Sequence, residues 1–317
     1  MKSLSQNVII GLKDKGAFLL KRFQVVGLPI QFLLTCIGLY LFSGAGSLLA
    51  YDTELVIMLG KYLQTLQEIG REMLHPTSII FKVGDPMDYK SYSLYPLFFQ
   101  LFGYSFSLLV LAFFLAAITS SLVSYLFMFL PKRVYRICFR LLDSLDSLPD
   151  VMIIVIIQLF IIWFFKKTDI LLFDIYTLGD EKIYLLPIIC LSIMPIAFLT
   201  KHFIFQLREE EEKPYVEYSY SKGFSKAYTI WVHLFQNVWL HFYFHIKPIF
   251  LLMLSNLLII EILFNINGFM NVLLDVSRNT PSAFFVGMLM IYIPFFLIFT
   301  LGAVFLKKWL SGEEVSS

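Results

Sequence analysis

Charge is what this sequence has little of. Of its 317 residues only 15% are Asp, Glu, Lys or Arg, while 58% are apolar and the mean hydropathy is +0.77. A soluble chain of this length cannot hide so much apolar surface in one core, so a polytopic membrane protein is implied. The net charge of +2 and the lack of any polybasic run remove nucleic acid from the partners. Cysteine is scarce as well. Cys36, Cys138 and Cys190 stand in apolar or membrane-proximal stretches without metal-ligand spacing or a disulfide framework, and read as small hydrophobes. There is no Gly-x-x-x-x-Gly-Lys-Ser/Thr, so no phosphate-binding loop for ATP. No small-x-small cleavage site closes the first apolar stretch, which is too long for a signal peptide and reads as a retained anchor.

What the sequence does have is long apolar runs. A helix needs about 20 mostly apolar residues to cross the hydrocarbon core. Six stretches qualify: 25–49, 104–129, 149–165, 184–203, 245–264 and 283–306. With the N-terminus inside, the inner segments collect Lys2, Lys13, Lys15, Lys21 and Arg22, then Lys132, Arg133, Arg136 and Arg140, the lysines from Lys201 to Lys247, and Lys307-Lys308. The outer residues 51–95 dilute their basic residues with Asp52, Glu54, Glu68, Glu72, Asp85 and Asp88. The positive-inside rule therefore puts both termini in the cytoplasm. The organisation expected is a cytoplasmic segment 1–24, a first anchor 25–49, an extracytoplasmic segment 50–95, a five-span core 96–307 and a cytoplasmic tail 308–317. Within the outer segment, residues 61–74 have apolar side chains at helical spacing and predict an amphipathic helix on the membrane surface or over a pore.

The longest inner loop, 204–244, contains "YVEYSYSKGFSKAYTIWVHLFQNVW". Pro214 suits the first turn of a helix, Gly223 a left-handed stop, and Ser225 an N-cap for a second helix from Lys226. The expected product is two short helices meeting at a glycine corner. By itself this is also the pattern of an ordinary interfacial loop.

Here the residues resemble a family. Tyr215-Val216, Ser219, Ser221-Lys222-Gly223-Phe224-Ser225, His233 and Asn237 look like the "YVRTARAKGLS…H…N" signature of peptide/nickel-type ABC transporter permeases. Glu217, six residues before Gly223, is similar to the older "EAA…G" form. Leu148-Pro149 and Leu186-Pro187 resemble the family's openings of spans three and four. Lys201 stands at an arginine position, Glu209 at the "L-E" glutamate, and Glu261, Phe264 and Gly268 at "vEtiF…PGlG". The likeness covers residues 95–307. Departures are Tyr218, Ser219 and Ser221 for the alanines and Tyr220 for the second arginine. Ile204 replaces an upstream arginine, Asn267 a proline and Asn279 an aspartate, while Gly44-Ala45-Gly46 stands where "P-G-D-P" is usual.

The resemblance implies an all-α type I permease bundle of six spans with a cytoplasmic coupling helix. Glu217, Ser221, Lys222, Gly223, Phe224 and Ser225 would meet an ATPase. It also implies a second permease subunit, cytoplasmic ATP-binding subunits that carry the ATP and Mg²⁺, and an extracytoplasmic substrate-binding lipoprotein. The cargo would be a peptide, or nickel or another chelated metal, imported across a bacterial cell membrane; the chain itself would bind no cofactor and catalyse nothing.

Other polar residues have their own readings. Gln158, Ser192, Asn256 and Glu261 lie in spans and are candidates for a translocation path, with helix packing as the alternative. Glu261 is expected near the outer end of span five, snorkelling towards water. Pro195 marks a kink in span four. His233, His241 and His245 fall on one face if the helix is regular, which opens a metal-dependent membrane enzyme as a rival function. No His-Glu-x-x-His is present, and aromatics surround the histidines as in an interfacial belt. A non-transporting membrane scaffold is a third possibility, from the degenerate signature.

Overall fold

The computed structural model describes residues 27–51, 55–83, 90–177 and 181–313. The segment 1–24 with its basic residues, Asp52, Glu54, Asp85 and Asp88 of the outer segment, and residues 314–317 of the tail lie outside the described residues. The chain divides into two compact units, one of residues up to Leu97 with those from Leu273 on, the other Phe98–Val272.

In the first unit an apolar helix α1, Gly27–Ser43, leads to α2, Leu59–Glu72, the amphipathic helix expected from the spacing. Its apolar face buries Leu66 and Ile69 against Phe285 of the last helix. The Tyr40 hydroxyl donates to the Leu66 carbonyl at 2.5 Å, which fastens α1 to α2. Two antiparallel strand pairs flank α2: β1 (Leu49–Tyr51) on β2 (Leu55–Ile57), and β3 (Ile80–Val83) on β4 (Lys90–Ser93). The sequence does not predict these short pairs; the described elements are otherwise helical, in keeping with an all-α membrane protein. Strands of three or four residues are too short to show a period of two in the sequence.

The second unit holds α3 (Leu97–Phe127), α4 (Lys132–Asp146), α5 (Asp150–Thr168), α6 (Leu185–Glu211), α7 (Pro214–Ser221), α8 (Lys226–Tyr228), α9 (Phe235–Leu263) and the start of α10 (Phe269–Asn279). A π-helical turn, Thr229–Leu234, joins α8 to α9. The last helix, α11 (Pro281–Glu313), belongs to the first unit. Spans two to six of the sequence reading fall on α3, α5, α6, α9 and α11, whose apolar parts are all long enough to cross a membrane. The first, expected at 25–49, stops at Ser43, where a turn and a short 3₁₀ segment Ala45–Leu48 replace it. The apolar run there continues after the helix has ended, so hydropathy overshoots the boundary.

Aromatic contacts recur in the core of this unit among many buried aliphatic residues. Phe113 of α3 stacks on Phe250 at 4.5 Å, and Phe203 of α6 lies against Phe235, Trp239 and Phe242 of α9. Spans α3, α5, α6 and α9 alternate in direction. Tyr125 near the end of α3 meets Trp231, and Phe203 of α6 meets Phe235, so the C-terminal ends of α3 and α6 share one end of the bundle with the start of α9.

Candidate functional site

At that end stands the corner predicted from Pro214, Gly223 and Ser225. Pro214 opens α7, where its missing N–H costs nothing. At the other end of α7, Gly223 N–H donates to Tyr220 O at 2.9 Å and Phe224 N–H to Ser219 O at 3.3 Å. This is a Schellman closure, and it requires the left-handed φ of +86° that Gly223 adopts. Ser225 then caps the next helix, its Oγ accepting from Tyr228 N–H at 3.3 Å. Every residue from Ser221 to Tyr228 is exposed, as is Glu217. Phe224 and Tyr228 stack at 4.9 Å on the outside, and Lys222 lies over the Tyr218 ring at 4.4 Å.

Beneath this exposed surface the corner is firmly held. Val216, Ile230 and Leu234 are buried, and the Ser219 and Thr229 hydroxyls bond at 2.9 Å. Glu210, at the end of α6, is enclosed and gathers three donors: Lys213 Nζ, the Tyr215 hydroxyl at 2.5 Å and Asn237 Nδ2 at 3.1 Å. Burial and the adjacent Glu210 carboxylate hold the Tyr215 hydroxyl well above the ordinary tyrosine range. So α6, α7 and α9 are tied at one carboxylate. Glu209, which the resemblance puts at the "L-E" position, is exposed; its neighbour Glu210 is the buried one. The phase of α6 carries the signal, since buried Phe203, Leu207 and Glu210 are spaced four and three apart.

At the opposite end of the bundle is a second polar centre. Glu261 does not snorkel to water; it is fully buried. Its Oε1 accepts from Ser105 Oγ at 2.5 Å and its Oε2 from Asn271 N–H at 2.8 Å, while Ser105 Oγ accepts from Phe269 N–H at 2.8 Å. Two of the free N–H groups that open α10 are thereby satisfied. Snorkelling fails because the chain turns back at Asn265 (φ 51°), so that the start of α10 closes over the carboxyl. Gly268 permits the close approach: a Cβ there would overlap the Glu261 carboxyl.

Residues 109–312, about two thirds of the chain, match the family model described as binding-protein-dependent transport system inner membrane component. The chain belongs to this family. It is a multi-pass ABC permease, and the match takes in both polar centres apart from Ser105. No curated protein matches the chain.

In this permease the other residues singled out from sequence are placed as follows. Lys201, at the family's arginine position, forms ion pairs with Asp143 and Asp146 of α4 at 2.6 Å each. Asn256 of α9 donates to Asp150 of α5, and Gln158 Nε2 donates to Leu263 O at 3.3 Å, so both fasten α5 to α9. Ser192 donates to Ile189 O of its own helix at 2.8 Å. Gln158, half-buried, is the one of the four path candidates with surface left for a solute; Ser192, Asn256 and Glu261 are enclosed.

The histidine face predicted for a regular helix is corrected. His233 sits in the π-helical turn, whose wider winding shifts the phase, and it packs on Phe224 and Tyr228. His245 lies against His202 with ring centroids 3.6 Å apart. The His241 side chain is outside the described set. Among the described residues no three His, Cys, Asp or Glu side chains converge on a metal position.

Sequence reasoning missed the Ser105–Glu261 pair, the Glu210 hub and α4. The first joins residues 156 positions apart and has no local signal.

Proposed function

We propose that this permease is driven through the corner at Gly223, which docks into a groove on a cytoplasmic ATP-binding subunit. The supporting observation is the combination found there: an exposed tip bearing Glu217, Ser221, Lys222, Gly223, Phe224 and Ser225, anchored through Glu210 to two spans. An exposed aromatic stack with polar neighbours suits a docking surface, because aromatic anchors carry most interface energy and charged residues do best at the rim. The anchoring lets a push on the tip move whole helices.

The route inward is α9. Its 29 residues make a rod about 43 Å long, interrupted by Pro248, with the corner at one end and the Glu261 centre at the other. Displacement of the tip reaches α10 through this one helix.

In this reading α1 completes six spans, both termini are cytoplasmic, and a second permease chain supplies the other half of the pathway. ATP and Mg²⁺ are bound by the partner ATPases, and an extracytoplasmic binding lipoprotein delivers the solute. The cargo is a peptide, with nickel or another chelated metal as the family's alternative, and import is the direction. Gln158 is the path residue we favour, from its remaining surface. Co-purification of an ATPase together with ATP-driven uptake of labelled oligopeptides tests the proposal. Unchanged oligopeptide uptake in a deletion strain that loses uptake of another solute contradicts the cargo assignment.

A further inference from the structure

Helix α4 has no part in the coupling scheme, yet its surface is strongly organised. Its inner side packs on its neighbours: Tyr135 meets Phe127 at 5.7 Å and lies under Arg208 at 4.4 Å, and Asp143 and Asp146 hold Lys201. The outer side carries two parallel rows. Arg133, Arg136 and Arg140 form one, and Val134, Ile137 and Leu141 the other, each at the spacing i, i+3, i+7 that lines one helix face. Both rows are exposed, the apolar one by 41%, 59% and 61%. The acidic residues of α4, Asp143 and Asp146, are exposed and pair with Lys201. Among the described residues no carboxylate pairs with the three arginines.

The pairing of the two rows decides what meets them. α4 connects the end of α3 at Phe127 to the start of α5 at Asp150 and runs back along α6, with Tyr135 beside Arg208 and Asp143 and Asp146 beside Lys201. Helix α4 therefore joins two spans, with its outer side free of α6. An exposed apolar row beside an exposed basic row is the pattern of a helix that meets anionic lipid at an interface.

We propose that α4 is a binding site for anionic phospholipid, with Arg133, Arg136 and Arg140 on the phosphates and Val134, Ile137 and Leu141 in the acyl boundary. This rests on the reading of α3 and α5 as spans, and not on which face is cytoplasmic. Guanidinium groups suit the ligand because their fork of donors matches phosphate oxygens.

The test places the full chain in nanodiscs of phosphatidylcholine, with or without phosphatidylglycerol in both leaflets, so that sidedness has no influence. The expected result is a higher Tm with phosphatidylglycerol and retention of that lipid in native mass spectrometry. In the triple variant R133Q/R136Q/R140Q both should be lost, with affinity for the anionic lipid falling about a hundredfold. The R133K/R136K/R140K variant, which keeps the charge, should retain most of the effect and shows that the helix still folds. Three results overturn the proposal: equal phosphatidylglycerol retention in the Gln variant, the same stabilisation by free inorganic phosphate, or lost association with a second permease chain at unchanged lipid retention. A chain that binds phosphatidylglycerol but transports nothing would instead count against the transport reading and leave this site standing.

Discussion

The Ser105 hydroxyl donates to Glu261 at 2.5 Å while accepting the Phe269 N–H at 2.8 Å, so one buried group ties α3 to the end of α9 and the start of α10. A group in that position is costly to disturb, because each partner left behind is a buried polar atom without a bond.

Glu261→Ala should therefore destabilise the permease by about 2–3 kcal/mol, the cost of orphaning buried donors to a carboxyl. Gly268→Ala should be comparably harmful by itself, since its methyl group would overlap the carboxyl. Together the two should cost less than their sum, because the alanine at 268 then occupies space that Glu261 has vacated. Thermal unfolding in detergent of the two single variants and the double variant measures the coupling. Strict additivity would show that Gly268 is not there to admit Glu261.

A second prediction concerns the inner hub. Glu210→Ala leaves Tyr215 and Asn237 without their shared acceptor and should lower stability by about 2 kcal/mol or more. Glu209→Ala removes an exposed side chain and should stay within about 0.5 kcal/mol of the parent. Comparing the melting temperatures of the two variants checks the assignment. Equal effects would return the structural role to neither residue.

How much of this could be read beforehand follows from the range over which each feature is encoded. Pro214, Gly223 and Ser225 act on their own backbone within a few residues, so the corner was legible without any tertiary information. The long spans were legible for the same reason, as uninterrupted apolar runs. Glu261 was visible as a carboxyl in a span, but its partner Ser105 lies on another helix, and snorkelling was the local answer to a non-local arrangement. Glu209 and Glu210 differ by one residue, about 100° of helix, which a motif match does not resolve and the apolar phase of α6 does. The π-helical turn displaced His233 because winding of that kind leaves no mark in hydropathy.

Topology offers a third prediction. Ser78→Cys and Lys222→Cys, both at exposed positions, should be labelled by a membrane-impermeant maleimide from opposite faces, Ser78→Cys from outside. Labelling of both from the same face would remove the six-span arrangement with cytoplasmic termini.

The central claim is that the Gly223 corner transmits ATPase closure, and Gly223→Val tests it most directly. Nothing lies within 4 Å of a Cβ at this position, so the substitution is harmful through its backbone alone. At φ +86° a side chain costs roughly 1–2 kcal/mol, more for a β-branched one, and the corner must open to relieve it. The spans, held by their own packing, should insert as before. The measurement is ATPase pull-down by solubilised Gly223→Val permease beside ATP-driven uptake in proteoliposomes. The account predicts normal expression, weakened ATPase association and lost uptake. Normal ATPase binding with full uptake would contradict it.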